Sequence, residues 1–236
     1  MKKVGLSLWF AGLLLASSVL QAQEVRFPVE HKRWLRDQKG ELIFGNTGIE
    51  FRAKDKKDAR TWKYQDIQQL GLLSPKELAI LTYNDSKWKF DKDICYRFKI
   101  TSGEITPALY TQLQAKLTRP LVSALIPPGI TPKFTVPVKH LLGFGGTQGM
   151  LEIGDEYVIY KTDAPKDSRI WPYQDISSVG TTGPYQLRLT SMDRAEGESG
   201  GERNFVFNLK ERLRTEAYDF IWWKINGPQI SSYTRK

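Results

Sequence analysis

The chain has 236 residues, 40% of them hydrophobic, 12% aromatic and 26% charged, with a formal net charge of +9. That balance excludes a disordered chain and a polytopic membrane protein, and the length allows one large domain or two small ones. Cys95 is the only cysteine, so no internal disulfide can form and the fold has to stand on its apolar core.

Residues 1–22 differ in kind from the rest. Lys2 and Lys3 precede an apolar run from Val4 to Leu20, and Leu20-Gln21-Ala22 stands before the polar Gln23-Glu24. This reads as a bacterial-type Sec signal peptide cleaved after Ala22, which implies an exported protein, periplasmic or extracellular. The alternative is an uncleaved anchor, because the run nears the lower length limit of a spanning helix. No Cys follows the run, so lipoprotein processing is excluded. Cys95 is read as a small apolar strand residue or, in the other reading, a link between two chains.

The rest of the chain is a duplication. Trp62-Lys63-Tyr64-Gln65-Asp66-Ile67 returns 109 residues later as Trp171-Pro172-Tyr173-Gln174-Asp175-Ile176, in a register that also pairs Gly40 with Gly149, Arg60 with Arg169, Gly71 with Gly180 and Pro75 with Pro184. A repeat of this length is a whole small domain with its own core. The expected division is a signal over 1–22, a first domain over 23–119, a Pro-rich linker over 120–132, a second domain over 133–228 and a tail over 229–236.

In each copy a Pro-Val-x-His segment, Pro28 to His31 or Pro137 to His140, leads into the domain. A hairpin follows, Glu41–Phe44 and Ile49–Arg52 around Gly45-Asn46-Thr47-Gly48, whose Gly and Asn suit a tight turn. Its copy turns at Gly154-Asp155-Glu156. Trp62 and Tyr64 alternate with Lys63 and Gln65, which puts both rings on one strand face, while Ile67 is out of phase. The slip predicts a bend with Ile67 and Leu70 in the core and the Asp66 carboxylate accepting backbone N–H groups, before Gly71 and Pro75 break the chain. Strands at Leu78–Thr82 and Leu187–Ser191 lead into unlike loops: Asn84 to Asp93 carries Trp88 among lysines, Asp193 to Arg203 is acidic and Gly-rich. Strict alternation predicts closing strands at Tyr96–Ile100 and Phe205–Leu209. Each copy ends in an amphipathic helix, one capped by Thr106 with Pro107 in its first turn and Leu109, Leu113 and Leu117 on its stripe, the other from Thr215 with Tyr218, Ile221, Trp222 and Ile225. The linker is broken by Pro120, Pro127, Pro128 and Pro132, yet Leu121, Val122, Leu125 and Ile126 are too apolar for a free tether and predict packing between the domains.

Several antiparallel strands closed by one helix, with the Gly40-Glu41-Leu42 hairpin, the Trp62–Ile67 strand and the Tyr96-Arg97-Phe98 strand in this order, resemble the pleckstrin-homology superfold in its GRAM and bacterial PH-like branch. The resemblance covers both repeats. It implies a mainly β fold class with one C-terminal α-helix per domain, two tandem PH-like β-sandwich or barrel domains, and a binding module rather than an enzyme. Lipid-binding members of that superfold use a long basic loop between the first two strands. Taken as Gly45–Gly48 and Gly154–Glu156, that loop is too short and too poor in cations to grip a headgroup here. The nearest basic substitute is Arg52, Lys54, Lys56, Lys57 and Arg60, and with Trp88 these are the candidate binding residues.

The structural signature is Trp62, Tyr64, Asp66 and Ile67 with Trp171, Tyr173, Asp175 and Ile176, read as core aromatics and a turn carboxylate. His31 and His140, the only histidines, are read as hydrogen-bonded structural residues, since each sits alone without the three or four ligands of a zinc site. Gly143-Phe144-Gly145-Gly146 is read as a loop rather than a nucleotide cradle. No catalytic motif, metal site or cofactor site emerges, and nothing calls for nucleic acid. The basic excess lies in the first repeat, where residues 23–128 carry 19 basic and 13 acidic side chains against 14 and 13 in residues 129–236. It marks a solvated face or weak attraction to acidic lipid. The expected function is an exported non-catalytic scaffold that recognises an envelope protein or peptide, through sheet edges or the groove beside each helix. Peripheral association with acidic membrane lipid and an envelope hydrolase are the alternatives. The oligomeric state is not legible.

Overall fold

The computed structural model describes residues 24–33, 35–85, 93–164, 166–194 and 202–233. In the first half, alternation in β1 (Val25–Lys32) buries Phe27 and Val29. β1 pairs along its length with β2 (Gln38–Phe44), which continues antiparallel through β3 (Gly48–Ala53) to β4 (Arg60–Lys63). β5 (Ile67–Ser74), β6 (Glu77–Asp85) and β7 (Asp93–Ile100) form the other arm, and β7 pairs back onto β1. α1 (Pro107–Gln114) follows and buries Leu109, Tyr110 and Leu113.

The second half repeats this plan. β9 (Phe134–Leu141), β10 (Gly146–Ile153), β11 (Tyr157–Lys161), β12 (Arg169–Pro172), β13 (Ile176–Thr181), β14 (Gln186–Ser191) and β15 (Arg203–Leu209) precede α2 (Thr215–Tyr233). Between the halves, residues Leu121–Ser123 form β8, which pairs in parallel with β5 and antiparallel with β12. The result is one 15-stranded sheet with β13 at one end and β4 at the other.

Cross-strand contact explains the glycine pair Gly40 and Gly149. A Cβ on Gly40 would lie 2.3 Å from the Arg52 carbonyl oxygen, and one on Gly149 2.2 Å from that of Lys161. The hexapeptide phase slip is a 3-10 turn, Tyr64–Asp66 in one half and Tyr173–Asp175 in the other. The turn lets Trp62 and Tyr64 join the first core with Ile67 and Leu70, and Trp171, Tyr173 and Ile176 join the second. Tyr64 and Tyr173 each donate a 2.8 Å hydrogen bond to the carbonyl of the hairpin glycine, Gly45 or Gly154, so the motif ties two connections together. Burial pushes the Tyr64 hydroxyl up to about 12.

Several expectations are corrected. The Pro-Val-x-His segment is a full strand, because its apolar residues alternate and its whole backbone finds partners in β2. The first inter-strand connection of the unit is therefore 33–37, not Gly45–Gly48. Gly71 does not break the chain but lies inside β5, and the turn falls at Pro75-Lys76. The Asp66 carboxylate does not hold the bend, which is closed by the Ile67 N–H on the Tyr64 carbonyl while Asp66 stays exposed. The linker contributes a sheet strand. α2 runs through Pro228 to Tyr233, so the stretch 229–233 continues the helix rather than starting a tail. Trp222 leaves the buried stripe and is 36% exposed beside Trp223, itself 58% exposed.

Besides β8, side-chain contacts lock the halves together, among them the paired hydrogen bonds between Gln69 and the Arg194 backbone at 2.6 and 3.2 Å. Lys166 pairs with Glu77 at 2.6 Å, Arg194 pairs with Asp93 at 3.0 Å, and the Tyr157 hydroxyl donates to Gln114 at 3.1 Å. Ile159 and Ile170 of the second half belong to the first apolar core. Among the described residues no helix is long and apolar enough to cross a membrane.

Candidate binding surfaces

Two strand connections of the first half bound a depression of about 910 Å³, lined by Arg33, Leu35, Arg36, Asp37, Gln38, Lys39, Lys54, Asp55, Lys57 and Asp58 among others. One wall is the β1–β2 connection and the other the β3–β4 connection, where Asp55 caps the 3-10 turn Lys56–Asp58 by accepting from the Lys57 N–H. A second opening of about 320 Å³ adjoins it, lined by His31, Lys32, Arg33, Gln38, Asp58, Arg60, Cys95 and Tyr96 among others.

The carboxylates in this face answer part of its charge. Lys32 bonds Asp37, Arg33 lies 3.5 Å from Asp58, and Lys57 lies 3.0 Å from Asp55. Hydrogen bonds from Lys32 and Lys57 hold Asp37 and Asp55 below the usual carboxylate range. Of the sequence candidates, Lys54 and Lys57 line the larger depression and Arg60 the smaller one, whereas Lys56 lines neither. Arg52 is engaged by Glu50 through two hydrogen bonds of 2.8 and 3.0 Å. Trp88 lies outside the described residues. Sequence reasoning missed Arg33, Arg36 and Lys39. The signal that finds them is the repeat itself, which aligns Arg33–Arg36 with the turn Leu142–Gly145 once the Pro-Val-x-His segments are strands. At that turn the first half projects Leu35 at 86% exposure, and the second half Phe144 at 100% with Leu142 at 41%.

Each histidine sits in an aromatic cage, and His140 makes the side-chain hydrogen bond that the sequence reading expected. His31 lies against Phe98, Tyr96 and Phe51 at ring distances of 5.0, 5.6 and 5.7 Å, and burial holds its pKa below the usual value. His140 sits in the matching cage of Phe207, Tyr160 and Phe205, with Nδ1 3.2 Å from Asp167. The Thr147 hydroxyl donates to the same carboxylate. Gln38 does so for Asp58 in the first half. In each half a side chain of the second strand, Gln38 or Thr147, thus holds the connection before the hexapeptide strand against the sheet. Among the described residues no group of three or more His, Cys, Asp or Glu side chains is placed to hold a metal.

The second surface is a sheet edge. In the first half, β8 covers β5 in the register Leu70–Leu121, Gly71–Val122 and Leu72–Ser123, with the Leu70 N–H on the Pro120 carbonyl at 3.4 Å and the Ala124 N–H on the Leu72 carbonyl at 3.0 Å. The repeat offset carries Leu70, Gly71 and Leu72 to Val179, Gly180 and Thr181 of β13. There the described residues provide a strand on one side only, β14. The Tyr218 hydroxyl of α2 donates to the Val179 carbonyl at 3.5 Å, a weak substitute for the missing strand. A Cβ on Gly180 would meet nothing within 4 Å, so the approach to the edge is open.

Seven antiparallel strands followed by a helix, twice over among the described residues, make this a mainly β chain with one helix ending each half. No protein-family model matches it. No curated protein matches it either. Among solved structures the chain is similar to one from the Spt16D Pob3N heterodimer, with 15% identity, 72% of this chain and 84% of that chain covered, and a TM-score of 0.31. A likeness of that size says nothing about partners.

Proposed function

We propose that this is an exported, non-catalytic binding protein whose second half takes an extended segment of an envelope protein or peptide as an added strand on β13, beside α2. The carrying observation is β8. The same edge in the first half already holds an extended apolar segment, Leu121-Val122-Ser123, in parallel register, and its repeat-equivalent in the second half is open. An exposed row of backbone donors and acceptors is a ready template for a further strand, whose main-chain bonds supply affinity while alternate side chains supply selectivity. The apolar run of residues 4–20 supports the exported setting.

Capture from an envelope extract tests this reading. The wild-type chain should retain a specific protein, and Val179→Pro should lose it, because by repeat equivalence with Leu70 that N–H faces the added strand and not β14. Tyr218→Phe, which frees the Val179 carbonyl, should retain at least as much. Equal capture by Val179→Pro and wild type, with both chains folded by circular dichroism, would contradict the edge.

A second reading, contact with acidic membrane lipid, is favoured by Leu35, a highly exposed apolar side chain set between Arg33 and Arg36 at the rim of the basic depression. Sedimentation with anionic vesicles should then occur at low salt, weaken at high salt, and fall when Arg33, Arg36 and Lys54 are changed to Gln. Sedimentation that ignores both salt and these changes would exclude it.

A further inference from the structure

Where β8 meets β12, the seam between the halves encloses polar groups that the fold leaves without protein partners. Pro120, Leu121 and Val122 form one wall, and Arg169, Ile170, Trp171, Asp175, Ser191 and Asp193 form the rest, around a cavity of about 10 Å³. Trp171 is 3% exposed and Asp193 2%, yet Trp171 Nε1, Arg169 Nε and Asp193 Oδ2 have no hydrogen-bond partner. The other Asp193 oxygen accepts from the Ser191 hydroxyl. Two N–H donors and at least one carboxylate oxygen thus border a space at the lower limit for one water molecule, and buried water resides where it can satisfy such orphaned groups. A cation is disfavoured by the Arg169 guanidinium, and an anion by the carboxylates.

We infer that this cavity is a water site that makes the seam a hydrogen-bonded joint: one ordered water receives hydrogen bonds from Arg169 Nε and Trp171 Nε1 and donates to Asp193 Oδ2. The groups facing Asp175 are Asp193 on the β14–β15 connection and the Tyr110 hydroxyl on α1, and Arg169 of β12 lines the same cavity. Burial first, and the Asp193 charge second, push the Asp175 carboxyl up to about 6 from 3.8. With the folded value above the unfolded one, Asp175 adds stability that is fully present below the unfolded value and is lost as pH rises through about 6. Neutralising it removes a repulsion from Asp193 at the wall that β8 completes. In its copy in the first half, Asp66 is exposed and Asn84 stands where the second half has Asp193.

Two measurements on the full chain test the joint. Thermal melts of wild type and Asp175→Asn should show the variant melting higher at pH 7.5, with the gap narrowing towards pH 4.5. Taking the difference cancels the opposite drift from His31, whose depressed value makes charging unfavourable as pH falls. A gap that is absent at pH 7.5 or constant with pH overturns the proton assignment. A crystal structure should show one density peak within hydrogen-bond distance of Arg169 Nε, Trp171 Nε1 and Asp193 Oδ2, and an empty cavity or an ion there overturns the water assignment.

Discussion

Trp62→Ala should lower the free energy of unfolding by about 3 to 5 kcal/mol, the usual cost of emptying a buried aromatic site. The indole is 5% exposed and lies 4.9 Å from the Tyr96 ring and 6.1 Å from the Phe98 ring, and Phe98 in turn supports His31 at 5.0 Å. The backbone around it cannot collapse into the void, because β4 is tied to β3 in the register Ile49–Trp62 and runs directly into the 3-10 turn that Tyr64 anchors to Gly45. Trp62→Phe, which keeps a ring in the cage, should recover a large part of the loss. Urea titration followed by circular dichroism measures both. An alanine variant within about 1 kcal/mol of wild type would mean that the hexapeptide is not a core element, since surface changes rarely exceed half that value.

The second large effect is expected at the seam. Val122→Pro places a residue without an N–H in a strand paired on both sides, and interior proline in a sheet or helix costs about 3 kcal/mol or more. Val122 is 8% exposed and faces Gly71 across the ladder, while the adjoining Ser123 pairs with Ile170 of β12. Breaking this strand removes the continuity of the sheet but leaves each apolar core with its own strands. Calorimetry should therefore show the first half losing most of the stability and unfolding ahead of the second, as two separated transitions. A single transition at the wild-type temperature would show that β8 contributes nothing to the joint.

The repeat made most of the architecture legible, because a fixed offset of 109 residues transfers each strand reading from one copy to the other. The closing strands at Tyr96–Ile100 and Phe205–Leu209 and the start of both helices followed from alternation and from Thr106-Pro107 and Thr215. What the offset could not show was anything present once. β8 has no strand counterpart, and three apolar residues between prolines carry no periodicity to mark them as a strand. β1 escaped because Pro28 discourages a strand reading. The adjacent loop Arg33–Asp37 escaped with it, so the basic face was first assigned to one wall only, at Arg52–Arg60. The surroundings of the matched histidines were not legible locally: His140 meets Asp167, 27 residues away in sequence, only through the fold. Asp175 and Asp66 share a motif position yet differ in burial, a distinction made by the linker strand and by Asp193, neither of which a local motif encodes.

In our proposal, function follows the same division. The shared residues build cores, and the candidate surfaces lie where the halves differ: a basic depression in the first, an open edge in the second. The most direct test of that account is amide hydrogen exchange on β13 with a synthetic peptide of residues 119–126, the segment that contains β8, added in trans. Protection of the Val179 and Thr181 amides that grows with peptide concentration, and is absent in Val179→Pro at Thr181, is the predicted result. Unchanged exchange at both amides under saturating peptide would contradict a strand-accepting edge.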